Sequence, residues 1–189
     1  MSFTENSRPD TKLEAMIAQV VTNNGNFIDS NSTRWLLVDT ARQRLILIDG
    51  RTPAGTWPVS TASVGLDNRQ DSGGTPPGVH RVTQKIGAGC PRGTVFASRR
   101  DTGQIWPQDT NPDTETDLIL TRILTLTGCE PGLNQGPGVD SLARYIYLHG
   151  TNDEAHIGEP VSHGCVRLTN VDIVQVFDLI NEGDPVVII

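Results

Sequence analysis

From Ser32 onward the apolar residues of this chain come in short runs closed by turn-forming residues. That punctuation limits the fold more than any other feature. Residues 35–39 (WLLVD) and 44–49 (RLILID) are rich in Leu, Ile and Val and are separated by four mostly polar residues, which reads as a hairpin with a short loop. Residues 58–65, 79–85, 118–126 and 144–148 read as further strands, and 186–189 as a last one after Asp184-Pro185. Only 170–181 (NVDIVQVFDLIN) has a strong helical pattern, with Ile173, Val174, Phe177 and Ile180 mostly on one face and Asn170 as the expected N-cap. Nineteen Gly and twelve Pro supply the turns. The pattern predicts a mainly-β domain, a sandwich or barrel-like sheet, and lacks the βαβ alternation of nucleotide-binding folds. No GxGxxG or GxxxxGK[ST] loop is present either.

The first 31 residues differ in character. They form a polar extension in which Leu13, Met16, Ile17 and Val20 follow a helical spacing, so a short helix packed on the main domain is expected within 11–21. The organisation read from sequence is therefore an extension over 1–31 and one domain over 32–189. At 189 residues the chain can bury one proper core. Fifteen Lys and Arg against 22 Asp and Glu give a net charge of −7, and aromatics make up 5%. Neither a basic footprint nor a stacking platform for nucleic acid is available. No run approaches the roughly 18 apolar residues of a membrane span. The first thirty residues carry no basic segment followed by an apolar core, so the expected compartment is the cytoplasm, or the periplasm where a leader has been removed. Three cysteines, Cys90, Cys129 and Cys165, are too few for a disulfide framework.

The densest chemical signal is the 24-residue stretch 145–168, YIYLHGTNDEAHIGEPVSHGCVRL. A thiol nucleophile needs a base, a group that orients the base, and donors for an oxyanion. His149 closes a strand and is followed by Gly150. Cys165 follows Ser162-His163-Gly164, where the glycine permits a tight backbone with converging N–H groups. A lone Cys is commonly a small buried hydrophobe, but two histidines and a cysteine among small residues make poor core material. His149, His156, His163 and Cys165 could alternatively supply zinc ligands, although no CxxC or HxxxH spacing supports a metal site and none is expected.

This segment resembles the signature of the YkuD family, the L,D-transpeptidase catalytic domain, in which a His is followed by a variable loop and then by [Ser/Thr]-His-Gly-Cys. Residues 74–79 (GTPPGV) resemble the family's TPxG segment, and the 35–49 hairpin resembles its opening strands. The resemblance covers roughly residues 33–189 and implies a YkuD-like β-sandwich with mixed sheets, to which the spacing already described adds a short N-terminal helix and one helix near the C-terminus. It implies Cys165 as nucleophile, His149 as base, the Gly150 carbonyl as the group that orients His149, and His163, Gly164 and the Cys165 N–H around the oxyanion. Ser162 would fix His163 by hydrogen bonding and is counted among the substrate-binding residues. Arg167 is assigned to substrate binding or loop anchoring, with a structural salt bridge as its other reading. No cofactor is implied.

The expected reaction is attack of the thiolate on the bond joining an L-centre to a terminal D-alanine of a peptidoglycan stem peptide, giving a thioester. Water would make the enzyme an L,D-carboxypeptidase that trims muropeptides during recycling, the reading that the expected compartment favours. An amine of a second stem peptide would make it an L,D-transpeptidase forming 3-3 cross-links. A catalytically silent wall-peptide binder and an unrelated cysteine hydrolase are the remaining alternatives. A carbapenem-type inhibitor is expected to acylate the site. Trp106, in the polar stretch 97–117, and His80, on the strand after the TPPG turn, are candidate substrate contacts, His80 having a surface strand position as its other reading. Cys90 and Cys129 read as structural or incidental thiols.

Overall fold

A computed structural model describes residues 11–28, 34–110 and 116–189. Two α-helices, α1 (Thr11–Asn23) and α2 (Asn170–Leu179), accompany ten strands. These are β1 (Arg34–Asp39), β2 (Arg44–Asp49), β3 (Thr52–Pro58), β4 (Gly78–Ile86), β5 (Thr94–Ala97), β6 (Arg100–Ile105), β7 (Ile119–Gly128), β8 (Tyr147–Gly150), β9 (Val166–Leu168) and β10 (Pro185–Ile188). They hydrogen-bond in the order β3-β2-β1-β10-β4-β7-β5-β6, with β8 pairing on β7 and β9 on β8. The mainly-β expectation, with a mixed sheet and two helices, holds. Residues 1–10 and 29–31 of the polar extension, and 111–115 of the 97–117 stretch, lie outside the described residues.

β1 and β2 are apolar at successive positions because both of their faces are covered. Trp35, Leu37, Ile46 and Ile48 pack against Leu13, Ile17, Val20 and Val21 of α1. Their neighbours Leu36, Val38, Leu45 and Leu47 face the main core, which also holds Leu124, Leu148, Val166 and the Ile173, Val176 and Phe177 face of α2. Burial on two sides turns a period-2 pattern into a continuous run. Each such side chain contributes about 1.5–3 kcal/mol relative to exposure.

Where strands lie at edges, the sequence signal fades. β3 (TPAGTWP) buries only Trp57, and as the end strand of the sheet it tolerates Pro53 and Pro58. The strand expected at 58–65 instead ends at Pro58, and Ser60 and Ala62 form isolated bridges to Arg167 and Ser162. β6 (RDTGQI) is exposed at its first five positions, so no apolar periodicity marked it within the stretch read as loop. Thr169, rather than Asn170, caps α2 by accepting from the Asp172 N–H. Asn170 turns inward, donating to the Thr151 carbonyl at 2.7 Å and to Glu154 at 2.8 Å.

β7 organises the site. Its register slips between Leu120 and Ile123, and Thr121 takes a φ of 71°. This bulge bends the strand so that its first residues pair with β5 while the remainder pairs with β4. β8 lies antiparallel on β7, and β9 lies parallel to β8.

Candidate active site

The pairing of β8 with β9 dictates which side chains meet. Leu148 is opposite Val166 in the parallel register, and both point into the main core. By strand alternation, Tyr147 and His149 on β8, with Cys165 and Arg167 on the partner segment, turn to the opposite face. Cys165 indeed packs with Tyr147, Ile123 and Phe96 of β5. Thus the sheet brings the nucleophile candidate and the base candidate, sixteen residues apart in sequence, to one face on adjacent segments.

His149 is buried, and its Nδ1 lies 2.8 Å from the Gly150 carbonyl oxygen. A carbonyl only accepts, so Nδ1 carries the hydrogen and Nε2 is the basic nitrogen. Gly150 has no room for a side chain: a Cβ there would sit 2.5 Å from Asn170 Oδ1 and 2.8 Å from the Leu120 carbonyl. Burial pushes the His149 imidazole below its ordinary pKa, and the Asp117 carboxylate partly opposes that shift. Cys165 is half-buried and its Sγ donates to the Tyr145 carbonyl at 3.4 Å. Desolvation pushes the thiol up to about 12, opposed first by the Tyr147 backbone N–H and then by the Arg167 and Arg144 charges. Both shifts favour the uncharged forms, the thiol of Cys165 and the neutral imidazole of His149.

The loop carrying Cys165 is held from several sides. Ser162 Oγ donates to the Cys165 carbonyl at 2.6 Å and accepts the Gly164 N–H at 3.3 Å. Its backbone bridges to Ala62. Gly164 takes a φ of 127°, open to glycine and strained for other residues. Thr75, from the 74–79 segment, donates its hydroxyl to the Gly164 carbonyl at 2.9 Å.

Several expected roles change in the structure. Ser162 is buried and engages Cys165 and Gly164 rather than the His163 ring, so it shapes the loop instead of meeting substrate. The Gly164 N–H points to Ser162, whereas among the described residues neither the His163 nor the Cys165 N–H meets a backbone acceptor. The His163 side chain is exposed and lines a cavity of about 440 Å³ with Gln70, Asp71, Arg144 and Tyr145. Arg167 is buried and anchors loops: Nη2 pairs with Asp117 at 2.6 Å and Nη1 with Asp153 at 3.5 Å. This geometry matches the loop-anchoring and salt-bridge readings of Arg167.

His80 is neither a cleft residue nor a surface one. It is fully enclosed, with Nδ1 donating to the Gly78 carbonyl at 3.1 Å and Nε2 accepting from Ser141 at 3.0 Å. This bond braces the loop that leads to Tyr145. Trp106 lines a separate cavity of about 390 Å³ with Arg92, Gln108, Glu154 and Asn170, and neither Cys165 nor His149 is among its walls. Cys90 and Cys129 are unpaired thiols in different clusters. Among the described residues no three His, Cys, Asp or Glu side chains converge to hold a metal ion.

Sequence reasoning missed Asp117, Tyr145 and Arg144. Asp117 ends a polar stretch with no motif around it. Tyr145 acts through its backbone carbonyl, which leaves no residue-type signal. Arg144 donates to the Asp67 and Gly74 carbonyls and to Ser72, tying the 67–74 segment beside the site.

Comparison with known proteins identifies the family. The family model YkuD, described as the L,D-transpeptidase catalytic domain, matches residues 33–188. "Probable L,D-transpeptidase ErfK/SrfK" of Salmonella typhimurium is 28% identical over 155 residues, covering 82% of this chain and 43% of that protein. "Probable L,D-transpeptidase YbiS" of Escherichia coli is 30% identical over 93 residues, covering 49% of this chain and 30% of that protein. The chain thus spans less than half the length of these curated relatives. Among solved structures, L,D-transpeptidase 3 from Mycobacterium tuberculosis, in complex with a faropenem-derived adduct, aligns with a TM-score of 0.52 at 18% identity, over 82% of this chain and 60% of that one. That likeness bears on the fold alone. With 156 consecutive positions matched by one family model, the chain belongs to the YkuD family of L,D-transpeptidase catalytic domains.

Proposed function

We propose that the protein transfers an acyl group through a thioester on Cys165, taking it from a peptidoglycan stem peptide in which an L-centre precedes a terminal D-alanine. The observation that carries this reading is the shared face of Cys165 and His149, with Nδ1 of His149 held by Gly150 at 2.8 Å. In the attack, Sγ bonds to the scissile carbonyl carbon while its proton passes to His149 Nε2. The carbonyl oxygen becomes an oxyanion facing the His163 and Cys165 N–H groups. Collapse breaks the C–N bond, the imidazolium returns the proton to the departing amine, and D-alanine leaves. Because thiol and imidazole are both neutral at rest, the nucleophile is generated only as substrate arrives. That protects the thiol from adventitious chemistry.

The thioester then passes to the amine of a second stem peptide, giving a 3-3 cross-link, or to water, giving an L,D-carboxypeptidase. The family relationship supports amine transfer as the principal fate. A disaccharide tetrapeptide incubated with and without an acceptor peptide, followed by mass spectrometry, tests this. D-alanine release with a cross-linked dimer is expected. Tripeptide as the sole product, with acceptor present, assigns the water route. Unchanged D-alanine release by Cys165→Ala overturns the thioester. A carbapenem should add its mass to the Cys165 peptide and to no other.

A further inference from the structure

Arg99 stands at the tip of the β5–β6 hairpin, where Ser98 (φ 47°) and Arg99 (φ 65°) both adopt left-handed backbone, the geometry of a tight two-residue hairpin turn. From there its guanidinium reaches the segment that leads into β8. Nε donates to the Tyr147 hydroxyl at 2.7 Å, and Nη2 donates to the Leu142 carbonyl at 2.7 Å. The guanidinium carbon also lies over the rings of Tyr145 at 4.6 Å and Tyr147 at 5.4 Å. One side chain therefore grips positions 142, 145 and 147.

Tyr145, in the middle of that grip, has a φ of 59° and is 55% exposed. A non-glycine residue in this region is strained and persists only where its surroundings impose it. What the strain delivers is the Tyr145 carbonyl, which takes the hydrogen of Cys165 Sγ at 3.4 Å. The Tyr145 N–H bonds to the Leu142 carbonyl at 3.2 Å and its ring meets the Tyr147 ring edge to face at 6.3 Å, and Arg99 ties all three of these residues together by lying over both rings and donating to the same Leu142 carbonyl. The same arginine ties the hairpin that carries Phe96, one of the residues packed with Cys165.

We infer that Arg99 is a positioning residue for Cys165, holding the strained Tyr145 carbonyl on the thiol and fastening the β5–β6 hairpin beside it. A hydrogen bond to the protonated form keeps the sulfur a thiol, and losing the restraint makes it easier to ionise. The groups that act on the sulfur directly are the Tyr147 backbone N–H, Asp117, Arg167 and Arg144, with His149 on the same face of β8, and changing Arg99 removes none of them. The inference rests on the acyl-transfer reading for why the thiol matters, but its test needs no substrate.

The test is alkylation of Cys165 by iodoacetamide between pH 7 and 12, a range that reaches the titration of the thiol and so separates a moved profile from a general rise in rate, read on its own peptide by mass spectrometry so that Cys90 and Cys129 do not contribute. Arg99→Ala should move the profile to lower pH by about one unit, raising the rate at pH 8 by about tenfold. Tyr147→Phe, which removes one of the two hydrogen bonds, should move it the same way by less. Arg99→Lys keeps a cation over the rings without the forked donors and should fall between wild type and Arg99→Ala. An unchanged profile in a folded Arg99→Ala protein overturns the inference, as does a shift to higher pH, which would make Arg99 a simple positive charge near the sulfur. If Arg99→Ala does not fold, the Tyr147→Phe and Arg99→Lys profiles decide by the same criteria. Failure of D-alanine release with a shifted alkylation profile would count against the proposed reaction and not against Arg99.

Discussion

Thr75 gives its hydroxyl hydrogen to the Gly164 carbonyl at 2.9 Å, across 89 positions of sequence, while the same oxygen accepts the Ala62 N–H at 3.0 Å. One fully buried hydroxyl thereby joins the 74–79 segment, the bridge region after β3 and the loop before Cys165. Thr75→Val keeps the shape and removes both bonds. Leaving a buried carbonyl and N–H unpaired should cost about 1–3 kcal/mol in urea denaturation. D-alanine release should fall further than stability does, because the loop that presents the oxyanion donors loses its tie. Thr75→Ser should recover most of both, and a Val variant with wild-type stability would refute the account.

Gly164 is a second point where backbone, not side chain, sets the site. Its φ of 127° is strained for any residue with a Cβ, and a Cβ there would lie 3.2 Å from Ile146 Cδ1 and 3.3 Å from the Gly74 carbonyl. Gly164→Ala should therefore fold with a stability loss of about 1–3 kcal/mol, and its acylation by a carbapenem should slow by more than tenfold. Crystals or acylation rates showing an undisturbed loop in this variant would contradict the strain argument.

These two positions also show where sequence was informative. The motif SHGC with an upstream His located nucleophile, base and loop because that chemistry demands particular residue types. β1, β2, β4, β7 and α2 were legible because burial writes itself into apolar periodicity. β6 was not, since its exposed residues have no core to face, and β3 was not, since an edge strand accommodates Pro and Gly. Asp117, the Tyr145 carbonyl and the His80–Ser141 bond depend on long-range packing that no local pattern encodes. The burial of Arg167 likewise appears only once β9 is seated between β8 and Ser60.

Acid should destabilise the fold through its two buried histidines. His80 is held by burial at a pKa of about 4, against an ordinary 6.5. Below pH 6.5 the unfolded chain takes up a proton that the folded one refuses, so stability present at neutral pH is lost as pH falls from 6.5 towards 4. The shift corresponds to about 3 kcal/mol for His80, and the lowered His149 adds in the same direction. Urea denaturation at pH 7 and pH 4.5 reads the loss. His80→Gln should flatten the slope between those values, and an unchanged slope would show that His80 does not carry it.

Asp117 and Arg167 should move the acid limb of the reaction in opposite directions. The Asp117 carboxylate raises the His149 pKa and the Arg167 charge lowers it, while burial sets the low baseline. Protonated His149 cannot accept the Cys165 proton, so kcat/KM for D-alanine release should fall below that pKa. In Asp117→Asn the raising influence is gone and Arg167 retains only Asp153, at 3.5 Å, so the limb should shift to lower pH. In Arg167→Met the carboxylate acts unopposed and the limb should shift to higher pH. Both variants break the pair held at 2.6 Å, and Arg167→Met leaves the Asp117 carboxylate without it. For Arg167→Met the stability cost should lie at the low end of about 3–5 kcal/mol, because Asp117 and Asp153 are partly hydrated. The opposite signs make the comparison decisive: general loosening of the site would displace both limbs the same way, and only the two charges acting on His149 separate them.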